Sequence, residues 1–189
     1  MYLAANIKNL PGVRAMILGA FCEGLNVDQT AHGFLPSRPM WWGLGDEHQT
    51  RKPSPAARGG KADRHDTLTL AGSLHATLFD SLLLKEMPEL DIVLRGEAEK
   101  SFLELDKRLL ARKETAGLSG LSYRAKRKGI RGQPQQNENL DSLPFPDRSL
   151  LDYRGYGKQW YGFELPLLPR LTTAFSSRGC LFNCTFCAG

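Results

Sequence analysis

Three of the chain's four cysteines fall within eight residues, in the run Cys180-Leu181-Phe182-Asn183-Cys184-Thr185-Phe186-Cys187. Cysteine thiolate is the usual protein ligand of iron–sulfur clusters, and three thiolates on one short loop can converge on three corners of a cubane 4Fe-4S cluster. The fourth iron then has no local ligand. The remaining cysteine, Cys22, follows Gly19-Ala20-Phe21 and reads as a small core residue. Structural zinc takes four ligands, commonly as C-x2-C pairs, so zinc or unpaired thiols are the alternatives to an iron–sulfur site. A disulfide framework would spread its cysteines and pair them all. Cys180, Cys184 and Cys187 are therefore the candidate metal ligands.

A loop of this kind needs a rigid support. Leu171 to Phe175 reads as a strand running directly into it. Upstream, residues 133–170 start with a Gln-, Asn- and Pro-rich stretch without periodicity and are expected to form a linker. Leu143-Pro144-Phe145-Pro146-Asp147-Arg148 should run extended within it.

Before the linker, helical spacing over Tyr2 to Leu10 precedes a strand over Val13 to Leu18. Thr67 to Gly72 reads as a second strand, Ala76 to Glu86 as a helix closed by Pro88, Asp91 to Leu94 as a buried strand, and Gly96 onward as a helix to about Lys113. Leu118 to Lys126 and the segment from Ile130 resemble a hairpin joined across Lys128-Gly129. Strands alternating with helices imply βαβ units and a parallel sheet, so the fold class is α/β. Residues 26–66 lose all periodicity and are expected to be irregular.

Net charge is +5, with nine Lys or Arg and one acid between Lys107 and Arg131. Such runs usually form a solvated face, and no RNA-binding signature or aromatic platform accompanies them, so nucleic acid is not expected as a partner. No apolar run approaches the ~20 residues of a membrane span. The start lacks the basic flank and cleavage site of a secretory signal, which predicts a cytoplasmic protein with no membrane partner.

Ser177-Arg178-Gly179-Cys180, followed by Cys184 and Cys187, resembles the signature of the radical S-adenosylmethionine superfamily. The resemblance implies that S-adenosylmethionine binds the open iron and is cleaved reductively to a 5′-deoxyadenosyl radical. It places Phe186 beside the adenine, with packing of the loop as its alternative. Gly72-Ser73-Leu74-His75-Ala76-Thr77, Asp91 to Glu99, Gly120 to Arg124 and Leu143 to Arg148 are similar, in order, to the subclass carrying a cobalamin-binding domain. That subclass holds cobalamin at the carboxyl ends of Rossmann-like strands, where open parallel sheets generally bind ligands. His75 then becomes a candidate cofactor contact or a cap of the following helix. Glu97 and Glu99 suit the positive end of a helix dipole.

The implied architecture is a partial Rossmann-like sheet of cobalamin-binding type over 1–132, a linker over 133–170, and the first strand of a radical S-adenosylmethionine barrel over 171–189. A complete barrel needs ~200 residues or more. The chain therefore reads as an N-terminal fragment ending at the cysteine motif and inactive alone, and its cobalamin retention is expected to be weak or undetectable. The resemblance implies methyl transfer or rearrangement on an unknown small-molecule substrate, with a flavodoxin or ferredoxin as electron donor. The alternatives are a module that carries a cluster or cobalamin, and an enzyme like the tRNA methylthiotransferases.

Overall fold

The computed structural model describes residues 1–17, 41–44, 68–125, 128–150, 175, 177–182 and 184–186, with the backbone alone at 41–44, 125 and 128. The chain forms two compact units, Met1–Leu151 and Asp152–Gly189. The first contains α1 (Tyr2–Ile7), β1 (Trp41–Leu44), β2 (Leu68–Gly72), α2 (Leu74–Leu78), α3 (Asp80–Glu86), β3 (Ile92–Leu94), α4 (Ala98–Leu110), β4 (Leu121–Ala125) and β5 (Lys128–Arg131).

The five strands form one sheet in chain order. β1, β2 and β3 are mutually parallel, whereas β4 runs antiparallel to β3 and β5 antiparallel to β4. The sheet is thus mixed, with an antiparallel hairpin added to a parallel half. β2 and β3 are buried through their centres because the two-residue period sends apolar side chains to both faces. Leu70, Ile92 and Leu94 join Ile7, Phe102, Leu105, Leu118 and Leu121 on one face. Ala71 and Val93 join Ala76, Leu84, Met87 and Leu90 on the other. Removing a side chain such as Leu105 would leave a cavity and cost about 2–5 kcal/mol.

Several elements differ from the sequence pattern. β1 lies inside the stretch expected to be irregular, because its order comes from the parallel ladder Trp41↔Leu68 to Leu44↔Ala71 rather than from a local apolar pattern. Residues 13–17 alternate between half-buried and exposed but form no strand, since no ladder joins them to another strand among the described residues. The helix expected over Ala76 to Glu86 is two helices, broken at Phe79 (φ −112°, ψ 25°), immediately before the buried Asp80. Lys128-Gly129 lies within β5, with Gly129 opposite Arg124, rather than at the junction of the hairpin. Leu18, Cys22, residues 171–174 and Cys187 are outside the described residues.

Arg124 ties the hairpin to the α3–β3 connection. Its guanidinium donates to the carbonyls of Leu84, Met87, Pro88 and Leu90, capping the end of α3 and holding the loop that leads into β3. Residues after β5 are also built into this unit. Gln135 pairs with Gly96 in an isolated bridge, and Lys8 forms a 3.0 Å ion pair with Asp147.

α4 carries Glu99 in its first turn and Lys107 and Arg108 in its last, in accord with its dipole. Its end is a Schellman closure: Lys113 N–H donates to Arg108 O (2.8 Å) and Arg112 N–H to Leu109 O (3.0 Å). This places the exposed Arg112 at φ +53°, a conformation that glycine adopts more readily. Arg112→Gly is expected to raise stability by about 1 kcal/mol, because the native left-handed strain is relieved. Urea unfolding would check this, and a loss of stability would contradict it.

Candidate functional site

The carboxyl ends of β2 and β3 open onto two adjacent loops. After Gly72, Ser73 caps α2 by accepting from Ala76 N–H at 3.1 Å. After Leu94 comes Arg95-Gly96-Glu97, which leads into α4. Gly96 has φ +71°, and a Cβ there would overlap the backbone of Gln135, so only glycine fits. Gln135 N–H donates to Arg95 O (3.0 Å) and Glu97 N–H donates to Gln135 O (2.7 Å). Asn137 donates from its backbone to Glu97 and from Nδ2 to Glu99 at 2.9 Å. The acidic pair opening α4 therefore holds the chain that returns after the hairpin, in addition to complementing the helix dipole.

Beneath this rim lies Asp80, 1% exposed. It accepts from Ser122 Oγ at 2.6 Å and from Arg131 Nε at 3.1 Å, and Arg95 Nε lies 3.3 Å away. Burial works against ionisation of Asp80, but Ser122, Arg131, the Ser81 N–H and the Arg95 charge together outweigh it and hold the carboxyl below its ordinary pKa. Arg95 also donates to Thr77 O (3.3 Å) and to Gly132 O. The sequence marked none of Asp80, Arg95, Arg131 or Thr77 as site residues. The signal available was an acid at the head of a short helix in an otherwise apolar stretch.

His75 sits on α2, exposed, its ring 4.9 Å from that of Phe79 and tilted by 37°. Leu74, Leu78 and Phe79 are exposed beside it, so this end of the sheet presents an apolar surface.

In the second unit, Gly179 has φ +81° directly ahead of Cys180. Cys180 and Cys184 are both exposed, free thiols on one loop. Phe186 is 91% exposed in the turn that follows. Cys187 lies outside the described residues, and among those described no three His, Cys, Asp or Glu side chains gather as a metal site.

The fold is shared with a radical S-adenosylmethionine methyltransferase. Two structures of TsrM from Kitasatospora setae superimpose with TM-scores of 0.53 and 0.54 at 18% and 16% identity. The matches cover 71% and 76% of this chain and 27% of TsrM in each case. One of those structures holds tryptophan and an S-adenosylmethionine analogue, the other cobalamin and an iron–sulfur cluster.

An uncharacterized methyltransferase of Pyrococcus horikoshii is 33% identical over 134 residues, covering 70% of this chain and 27% of the relative. The anaerobic magnesium-protoporphyrin IX monomethyl ester cyclase of Rubrivivax gelatinosus is 29% identical over 130 residues, covering 65% of this chain and 22% of the relative. The chain thus spans about a quarter of the length of these relatives. No family model matches it. Among the described residues, no helix is long and apolar enough to cross a membrane.

Three of the nine basic residues of the run between Lys107 and Arg131 are engaged within the first unit. Arg108 bonds Glu104 at 3.1 Å and the carbonyls of Glu114 and Ala116, Arg124 bonds the α3–β3 connection, and Arg131 bonds Asp80.

Asp106, on α4, is the electrostatic opposite of Asp80. It is 1% exposed, its Oδ2 has no hydrogen-bond partner among the described residues, and burial pushes its pKa from 3.8 up to about 7. A raised carboxyl pKa contributes stability that is fully present below the ordinary value and is lost as pH rises through about 7. Asp106→Asn removes this titration. At pH 8 the variant is expected to exceed the parent by about 2–4 kcal/mol, with the advantage gone at pH 4. Thermal melts of both proteins across that range would show it, and a pH-independent difference would contradict it.

Proposed function

We propose that this chain is the front part of a cobalamin-dependent radical S-adenosylmethionine enzyme that catalyses methyl transfer or a rearrangement. One observation carries the reading: Cys180 and Cys184, both free and exposed, follow Gly179, whose φ is left-handed, in a C-x3-C-x2-C loop. The donor set fits a 4Fe-4S cluster, with Cys180, Cys184 and Cys187 as its ligands. Bound there, the cluster supplies the electron for reductive cleavage of S-adenosylmethionine. The chain's own contribution at that end would be the thiols of Cys180 and Cys184, free of disulfides among the described residues, with Phe186 as the candidate neighbour of the adenine.

The fold that the chain shares with a cobalamin-bound methyltransferase supports a cobalamin platform at the ends of β1, β2 and β3, with His75 on its rim. β1 completes more of the parallel sheet than the sequence pattern suggests, so retention of cobalamin should be weak but measurable. A flavodoxin or ferredoxin is the expected electron donor, and a small molecule the substrate. The quarter-length match to the relatives supports a longer enzyme whose remaining segments hold that substrate.

Two measurements test the cluster end. Anaerobic reconstitution with iron and sulfide is expected to give a brown chromophore that Cys184→Ala abolishes, since two remaining thiolates are too few to retain the cluster. Stoichiometric zinc without iron uptake would overturn this assignment.

The reconstituted chain with dithionite is also expected to form no 5′-deoxyadenosine beyond its Cys180→Ala counterpart. Productive cleavage needs a positioned sulfonium, and such positioning supplies roughly 7–11 kcal/mol in well-oriented cases. Cysteine-dependent product over many turnovers would show that the chain needs no further segment.

A further inference from the structure

The geometry points to Thr77 as a positioning residue that locks the loops after β2 and β3 into one rim. Its hydroxyl is used on both sides: it donates to Ser73 O at 2.9 Å and accepts from Gly96 N–H at 2.9 Å. A threonine in a helix commonly donates to the carbonyl four residues back, and that bond alone would be unremarkable local structure. The acceptor side is different, because Gly96 belongs to the neighbouring strand's exit and lies 19 residues away in sequence. The Thr77 carbonyl makes a second link by accepting from Arg95 Nε at 3.3 Å.

Both ends of this link are themselves fixed. On the β3 side, Arg95 is held against Asp80, its backbone N–H donates to Gly120 O at 2.8 Å, and Gln135 packs where Gly96 lacks a Cβ. On the β2 side, Thr77 N–H donates to Ser73 O at 2.9 Å while Ser73 Oγ caps Ala76. The turn between Ser73 and Thr77 contains His75, so the backbone that carries His75 on the rim is held through Thr77. A site is precise when its contact groups are held by such supporting hydrogen bonds. Thr77 acts through these neighbours and contributes no cofactor contact of its own. The coupling stands on these bonds, while its use in holding cobalamin rests on the platform reading above.

The test compares Thr77→Val, which keeps the shape and loses the hydroxyl, with Thr77→Ser, which keeps the hydroxyl. Amide exchange at Gly96 should quicken about tenfold in Thr77→Val, as expected for one lost hydrogen bond, with Val93 as the core reference. Thr77→Ser should retain the parent's protection at Gly96. Equilibrium dialysis against hydroxocobalamin should show weaker retention by Thr77→Val and parent-like retention by Thr77→Ser. Unchanged Gly96 exchange in Thr77→Val, or lost protection in Thr77→Ser, overturns the coupling. Faster exchange with undiminished cobalamin retention overturns its positioning role. If the unaltered chain retains no hydroxocobalamin, the platform reading fails, and the exchange data still decide the coupling.

Discussion

Asp80 is almost fully buried and yet charged, and most of what positions the strand ends depends on how that charge is balanced. Ser122 on β4, Arg131 on β5 and Arg95 at the exit of β3 converge on one carboxylate. Leaving a buried charge unpaired typically costs about 3–5 kcal/mol, so losing one partner would penalise the remainder. The cluster joins α3 to the antiparallel hairpin and to the loop that opens α4. It therefore couples the hairpin to the parallel half, whose strand ends form the candidate platform.

Arg124 and Gln135 extend the same logic. Each spends its hydrogen-bonding capacity on backbone groups that regular secondary structure leaves unpaired, at the end of α3 and at the exit of β3. The two apolar faces supply the driving force for folding, while the polar contacts select the register and fix the loops. Asp106 contrasts with Asp80: its carboxyl is buried, its Oδ2 has no hydrogen-bond partner among the described residues, and burial raises its pKa to about 7, so the stability of the first unit is expected to fall as pH rises through that value.

The cysteine loop follows a different principle. Its thiols are exposed and the aromatic beside them is almost fully solvated, so little packing within its own unit holds them. What shapes the loop locally is the positive φ of Gly179, a backbone property that glycine provides without strain. A ligand loop of this type is suited to gain order from the cluster it binds.

The sequence by itself determined the features whose causes are local. The C-x3-C-x2-C spacing, the buried strands at Leu68–Gly72 and Ile92–Leu94, the amphipathic helix beginning at Ala98 and the existence of a hairpin all follow from residue type and period. Tertiary structure decided the rest. Trp41–Leu44 is a strand because β2 offers it a ladder, and the helix after β2 breaks where Asp80 meets partners 15, 42 and 51 residues away. Gly96 needs its glycine because Gln135, distant in sequence, occupies the space of a side chain. Periodicity reports which face of an element is apolar, but it carries no information on which distant polar group will meet a buried charge, and that pairing sets the rim.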